Sequence, residues 1–188
     1  MKFSHGILII WGCTLSMAIS CSNDTLDPPG ADPPCSNVSG QGDRFVDCGN
    51  GTVTDTQTHL VWTKLADCHQ STTWLNAMDL ASGLAEGGCS GELTDHSSAG
   101  DWRLPTVAEW QTLVAPSCSS PAIPDQSGTG CFRDGTRWAI HVNYDVPYWS
   151  SEPNVPGETA YAMDLNNGAV GSGSIQFSSH VWPVRSGH

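Results

Sequence analysis

Eight cysteines constrain the fold of this 188-residue chain more than any other feature. Two of them, Cys13 and Cys21, lie near the start, and the other six are spread from Cys35 to Cys131. Cysteines form lasting disulfides in oxidising compartments and stay reduced in the cytosol. Whether these six can staple the fold therefore depends on whether the chain is exported.

The first twenty residues have the features of an export signal. Lys2 supplies a positive start, an apolar run follows over residues 6–17, and small residues come next. This run is shorter than the roughly 20 apolar residues that span a bilayer. The stretch MAISC, ending at Cys21, resembles a bacterial lipobox, in which the cysteine is acylated and becomes the new N-terminus. We expect a signal peptide over residues 1–20 and a lipid anchor on Cys21; the alternative is ordinary cleavage that leaves a free or paired thiol.

If Cys13 leaves with the signal and Cys21 carries lipid, six cysteines remain for pairing. Six cysteines allow about 15 connectivities, which the sequence alone does not resolve. Each neighbouring pair flanks a loop-rich insert, which favours Cys35–Cys48, Cys68–Cys89 and Cys118–Cys131. Zinc binding is the competing use, but the chain has no Cys-x-x-Cys and its histidines are scattered. Each disulfide would contribute about 2–4 kcal/mol, mostly by restricting the unfolded chain.

The charge balance excludes one class of partner. Seven basic residues against 19 acidic ones give a net charge of −12. Nucleic acid is therefore not expected as a partner, because phosphate binding requires a basic face. The same argument weakens a role in binding sulfated polysaccharides.

Composition divides the chain into a spacer and one domain. Residues 21–43 are rich in Pro, Asp, Ser and Gly and lack apolar periodicity, which is typical of a linker. From Arg44 to His188 the pattern is that of a single domain. Two β-like runs surround a Gly49–Gly51 turn, and a further strand is predicted over residues 59–62.

Two helices and a hairpin are predicted downstream. Helical spacing of apolar residues follows Thr72 or Thr73, either of which could be the N-cap. Thr106 and Glu109 fit a capping box at the start of the second helix, and Arg103 has Asp101 or Glu109 as a candidate ion-pair partner. Near the C-terminus, an Asn-Asn-Gly turn predicts a hairpin, and residues 180–185 read as one last strand.

Five blocks in fixed order resemble one protein family. They are FVDCGNGTVTDTQTHLVWTK, AGDWRLPTVAEWQTLV, YWSS, NNGAVGSGS and VWPVRSG. Together they look like the Lcl C-terminal domain family of bacterial surface proteins, with a match from about Arg44 to Gly187. The resemblance implies a C-type-lectin-like α+β fold, with two helices packed on a small twisted antiparallel sheet and with the N- and C-terminal strands close together. The named member of that family is an adhesin whose domain recognises sulfated glycans.

The tripeptide Glu152-Pro153-Asn154 is similar to the calcium- and sugar-binding tripeptide of calcium-dependent lectins. A calcium ion takes roughly six to eight oxygen ligands, for which the candidate set is Glu152, Asn154, Glu158 and either Asp164 or Asn166. However, residues 170–172 are Val-Gly-Ser where those lectins have their Asn-Asp ligands. We therefore expect a polar recognition loop and no resident metal.

Aromatic residues beside this loop form the predicted binding surface, because sugars stack on exposed rings. The predicted ligand-binding residues are Trp138, Tyr144, Tyr148, Trp149, Glu152 and Asn154. The alternative is that the rings fill a disulfide-bound loop core.

The sequence favours binding over catalysis. The block RLPTVAEW is also similar to one in formylglycine-generating enzymes, but those enzymes use late cysteines and this chain has none after Cys131. It also lacks a Gly-x-Ser-x-Gly elbow. We expect a non-catalytic, cofactor-free domain on the bacterial envelope that binds a glycan or surface protein and touches the membrane only through its lipid. The alternatives are a structural module without a sugar ligand and, third, an enzyme.

Overall fold

A computed structural model describes Cys35, residues 42–133 and residues 138–187. The predicted signal peptide, the Cys21 lipid anchor and all of the predicted linker except Cys35, Gly42 and Asp43 lie outside these residues. Among the residues described, no helix has the length and apolar character needed to cross a bilayer.

Nine strands and two α-helices make up the described part of the domain. The strands are β1 Phe45–Asp47, β2 Thr52–Asp55, β3 Leu60–Thr63, β4 His69–Thr72, β5 Tyr148–Val155, β6 Thr159–Asp164, β7 Ala169–Ser174, β8 Ser179–Val181 and β9 Val184–Ser186. The helices are α1 Trp74–Ser82 and α2 Val107–Leu113, and a short 3-10 helix covers Cys89–Gly91.

The strands form two sheets. One has the order β1-β2-β3-β9, so the first and last strands of the domain belong to the same sheet. The other has the order β4-β8-β5-β6-β7, in which β5 and β8 pair in parallel and the remaining pairs are antiparallel. The predicted α+β class with two helices is confirmed, whereas the expectation of one antiparallel sheet is wrong.

The second sheet arises where Pro183 interrupts the last predicted strand. Ser179–Val181 pair within the five-stranded sheet, and Val184–Ser186 pair with β3 in the other. Proline cannot donate to a ladder, so it breaks pairing within a strand. Between the two strands, Trp182 is fully buried and its Nε1 donates to the Thr63 carbonyl at 2.8 Å.

The five-stranded sheet is covered on both faces around β5. Tyr148 belongs to the larger core cluster with Trp110, Trp182 and their neighbours. Trp149, the next residue, belongs to a second cluster with Ala77 and Ala81 of α1. Consecutive strand residues point to opposite faces, so both can be buried only because each face packs against other structure.

The predicted starts of both helices are confirmed, but only α2 has a side-chain capping bond. Thr106 accepts from the Glu109 N–H and Glu109 accepts from the Thr106 N–H, which completes the capping box. Glu109, rather than Asp101, pairs with Arg103. At α1 the N-cap is Thr73, which makes no side-chain capping bond.

The three disulfides are Cys35–Cys48, Cys68–Cys89 and Cys118–Cys131, the neighbouring pairs that chain order favoured. The first ties Cys35 to the residue that follows β1. The second joins the start of β4 to the 3-10 helix.

Candidate functional site

A groove of about 420 Å³ lies on one face of the five-stranded sheet, beside the edge strand β7. Ligand pockets of roughly 300–1,000 Å³ are common in proteins. The lining comprises Pro147, Trp149, Ala162, Asp164, residues 169–173 and residues 177–179. Strands β5, β6 and β7 therefore form its floor, and the connection between β7 and β8 forms one wall.

The groove exists because the strand positions next to Trp149 carry small side chains or none. Trp149, Ala162 and Gly171 are cross-strand partners on one face. A Cβ added to Gly171 would meet no atom within 4 Å, so this position is open space. At Gly173 the nearest atom would be Cη2 of Trp149 at 4.0 Å, which shows that the indole extends across β6 towards β7. The glycines thus leave the face beyond Trp149 uncovered.

Phe177 is the exposed aromatic ring of the groove. Its side chain is 68% exposed, the largest value among the exposed large apolar residues of the described chain. A backbone bond from the Phe177 N–H to the Ser174 carbonyl, 2.9 Å, holds the turn that presents it. The ring therefore stands at the wall of the groove with its surface available.

The Trp149 side chain forms part of the groove floor, and its ring is too buried for a sugar to stack on it. It is 1% exposed, and its Nε1 donates to the Thr72 carbonyl at 2.9 Å. An indole held by a hydrogen bond and packed between α1 and the sheet keeps one orientation.

Polar groups surround this apolar floor. Asp164 Oδ1 accepts from the Asn166 N–H at 2.9 Å, which leaves Oδ2 without a bond to another described residue. Ser172 Oγ accepts from Asn154 Nδ2 at 3.2 Å. Asp164 is the one titratable side chain among the lining residues. The groove thus offers an aromatic face, hydroxyls and a single carboxylate.

The predicted aromatic surface is wrong for three of its four rings. Trp138 and Tyr148 are 0% exposed and Trp149 is 1% exposed. Trp138 stacks on Phe45 at 3.9 Å between ring centroids, and Tyr148 tilts against Trp110 at 5.7 Å. Only Tyr144 is exposed, at 37%. The alternative reading, that these rings fill the core, describes the other three.

Glu152 and Asn154 do not face the groove as a pair of ligands. Glu152 Oε1 accepts from the Val107 N–H at 3.1 Å and so satisfies the start of α2. Asn154 donates to Ser172 and to the Thr159 hydroxyl. Glu152 Oε1 and Asn154 Nδ2 thus hold β5 to α2, β6 and β7.

The candidate calcium ligands are dispersed. Glu158 lies in the β5–β6 turn and Asp164 lies at the far end of β6. Six residue steps along a strand separate them by roughly 20 Å. Within the described ranges, no group of three or more His, Cys, Asp or Glu side chains is arranged to hold a metal. The tentative calcium set is therefore wrong as a single site.

Basic residues are unevenly distributed along the chain. Arg44, Lys64, Arg103 and Arg185 pair with Asp55, Asp47, Glu109 and Asp95, respectively. Residues 138–184, which contain β5 to β8, include four carboxylates and no Lys or Arg. Among the residues that line the groove, the single formal charge is the negative one of Asp164.

Two histidines in the strands of the five-stranded sheet, His69 of β4 and His180 of β8, have lowered pKa values. Burial lowers the pKa of His69 and of His180, and the nearby Asp67 and Asp145 only partly oppose this at His180. Both ring nitrogens of His180 are buried without a hydrogen-bond partner among the described residues. The ring packs on Tyr148 at 5.1 Å, and burial raises the pKa of that phenol.

Sequence reasoning missed Phe177, Gly171 and Gly173. A signal was present, because β7 has glycine at alternate positions and Phe177 is a lone large apolar residue in a polar turn. Alternating glycines leave one face of a strand bare.

The chain matches the model of a known protein family. The model described as Lcl C-terminal domain matches residues 51–185, which span strands β2 to β8 and most of β9. A search of curated proteins found no significant match to the chain.

Proposed function

Since the chain belongs to the Lcl C-terminal domain family, we propose that it is a non-catalytic binding domain of the bacterial envelope, exported by its signal peptide and held by a lipid on Cys21. The ligand site is the groove between β7 and the β7–β8 turn. Its ligand is an uncharged glycan.

The exposed ring of Phe177 beside a bare sheet face is the observation that carries this proposal. Aromatic rings present an apolar face with polar surroundings, which suits the alternating apolar and hydroxyl surfaces of a sugar. Serine hydroxyls and Asp164 Oδ2 lie within the same groove and can exchange hydrogen bonds with sugar hydroxyls. A few placed polar groups over an apolar floor are the usual composition of a small-molecule site.

The negative region argues for an uncharged ligand. A sulfated or carboxylated sugar in the groove would meet the Asp164 carboxylate without a compensating Lys or Arg among the lining residues. Like charges in proximity cost free energy and suppress the wrong partner.

The single carboxylate of the groove supports binding over catalysis. Asp164 has no second titratable group beside it in the groove lining, whereas general acid–base hydrolysis of a glycoside uses two carboxylates. We also propose that the fold is C-type-lectin-like. Three features support this: the two helices, the loop-rich inserts tied by disulfides, and the presence of the first and last strands in one sheet.

Glycan-array binding by the soluble domain tests this function. Phe177→Ala should lower binding of uncharged glycans by tenfold or more, about 1.4 kcal/mol, because the stacking face is lost. Val155→Ala is the matched control, since Val155 is also exposed and apolar but is not among the residues that line the groove. Equal binding by both variants and the unmodified domain would remove the groove as the site. Binding confined to sulfated glycans would contradict the charge argument.

Membrane attachment has its own test. Cys21→Ser should release the protein from the membrane fraction of cells, because a stable anchor needs the acyl chains. Retention of the variant in that fraction would contradict lipidation at Cys21.

A further inference from the structure

Strand β7 is an open sheet edge without the usual protection. Its six residues pair with β6 in unbroken register, with no bulge. The segment AVGSGS contains no Lys, no Pro and no charged residue. Natural edge strands are normally short, bulged, charged or covered, because unpaired N–H and C=O groups invite another strand.

The other three edges of the two sheets are each protected. β1 has three residues, and its Phe45 N–H donates to the Gln126 carbonyl at 3.0 Å. The N–H and C=O of Val184 in β9 both bond the backbone of Arg103, at 2.9 and 3.0 Å. β4 is irregular against β8 and follows a disulfide cysteine. β7 is thus the exception in the described part of the fold.

The register shows which groups β7 presents. The Ile175 N–H donates to the Glu158 carbonyl, so the hydrogen-bonded pairs to β6 fall at alternate residues, including Gly171 and Gly173. The N–H and C=O of Val170 and Ser172 therefore point away from β6. No described residue bonds these four backbone groups.

The free space and the charges around β7 indicate what kind of strand could pair with its edge. Gly171 and Gly173 leave room on the groove face for side chains of an added strand. Glu158 and Asp164 lie opposite the two ends of β7, about 20 Å apart at strand spacing. Because residues 138–184 hold no Lys or Arg, a strand with basic ends would meet complementary charge.

We propose that the β7 edge binds an extended, cationic peptide segment of a protein partner by β-strand addition. The partner's backbone pairs with Val170 and Ser172, one face of its side chains lies over Gly171 and Gly173, and its terminal Lys or Arg side chains meet Glu158 and Asp164. Main-chain hydrogen bonds supply the affinity in this mode, and alternate side chains supply the specificity. This interaction does not require the groove to bind sugar.

A synthetic peptide on the full chain tests the proposal. The probe is acetyl-Lys-Val-Thr-Val-Thr-Val-Lys-amide carrying a fluorophore, followed by fluorescence polarisation. Three companions separate the contributions: two carry N-methyl groups on one or the other set of alternate residues, and the third has Glu in place of Lys. We expect the parent peptide to bind, the N-methyl peptide of the pairing register to lose tenfold or more, and the Glu peptide to lose several-fold.

Ser172→Pro is the decisive protein variant. It removes the outward N–H without breaking a bond to β6, and proline is tolerated on edge strands at such positions. Ser172→Ala is the matched control, because it removes the same hydroxyl and its bond from Asn154 but keeps the N–H. The expected result is at least tenfold weaker peptide binding by Ser172→Pro and unchanged binding by Ser172→Ala.

Several outcomes would overturn the inference. Absence of saturable binding up to about 1 mM peptide, a very weak affinity, excludes the edge as a peptide site. Equal binding of the parent peptide and both N-methyl registers excludes backbone pairing, and this comparison needs no variant to fold. A dimer of the unmodified chain that Ser172→Pro dissolves would identify a second copy, not a cationic partner, as the occupant. Loss of glycan binding in Phe177→Ala leaves this result unaffected, so the two proposals fail separately.

Discussion

Arg103 holds both carboxylate oxygens of Glu109, with nitrogen–oxygen distances of 2.7 and 2.6 Å. The same carboxylate accepts the Thr106 N–H at 2.8 Å and thereby closes the capping box of α2. Burial alone would raise the pKa of Glu109, but hydrogen bonds from Arg103 and Thr106 outweigh it and hold that pKa below its ordinary value of 4.5. This single carboxylate joins the α2 start to the segment that precedes it.

The lowered pKa of Glu109 makes part of the stability sensitive to acid. A carboxyl whose pKa is lower in the folded state stabilises the fold above its unfolded pKa, and that contribution is lost as pH falls through the folded pKa. We expect Glu109→Gln to lower the free energy of unfolding at pH 7 by about 1 kcal/mol, discounted because Arg103 is 40% exposed. Denaturant unfolding from pH 7 to pH 3 measures it, and the difference between variant and parent should shrink below about pH 4.5. A difference that stays constant with pH would contradict this account; Glu158→Gln in an exposed turn is the control.

His180 should produce a second, separate pH dependence. Burial lowers the pKa of its imidazole, so the unfolded chain binds a proton more readily than the folded one. The free energy of unfolding should therefore fall as pH drops below the unfolded value of about 6.5. In His180→Leu the decrease between pH 7 and pH 5 should be smaller, because the leucine has no proton to bind. Identical slopes for both proteins would show that this ring does not contribute.

Two glycines should respond oppositely to substitution. A Cβ at Gly51 would lie 2.2 Å from the Glu92 carbonyl oxygen, and the residue has a φ of +83°. Gly51→Ala should therefore destabilise the fold by about 2 kcal/mol or more. Gly171→Ala has open space and an ordinary φ, so its thermal midpoint should be equal or slightly higher. Differential scanning calorimetry of both variants compares them, and a destabilised Gly171→Ala would mean that the groove is not open.

Calcium should leave the domain unchanged. The four candidate ligands are dispersed, and Glu152 and Asn154 are already bonded to α2 and to neighbouring strands. We expect the same thermal midpoint in about 5 mM calcium, enough to fill weak extracellular sites, as in a chelator. A raised midpoint that Glu152→Gln abolishes would reinstate the calcium site.

Much of the fold follows from local sequence patterns. The capping box at Thr106 and Glu109, the Asn-Asn-Gly turn and the neighbouring disulfides depend on residues close in sequence, and each is present as predicted. Pro183 could have shown that residues 180–185 are two strands, since a ladder donor is missing there. What local patterns do not show is that these two strands enter different sheets.

The candidate site was harder to predict because burial is a tertiary property. Tyr148 and Trp149 are adjacent, and one of two adjacent strand residues normally faces solvent. Here both sheet faces are covered, one by the Trp110 and Trp182 cluster and the other by α1. Both rings are therefore buried in the core. The exposed aromatic ring is instead Phe177, which no hydrophobic periodicity in the sequence predicts.

The break at Trp182 and Pro183 also sets the order in which the domain can be completed. Trp62 of β3 pairs with Val184, 122 positions later, and β8 joins β4 to β5. Closing such long loops costs entropy before the contacts form, which slows folding. A chain that emerges N-terminus first can finish neither sheet until residues 179–186 are available. Until then the β3 edge and the Tyr148 side of β5 have no strand partner, so both sheets stay incomplete while the rest of the domain is already present.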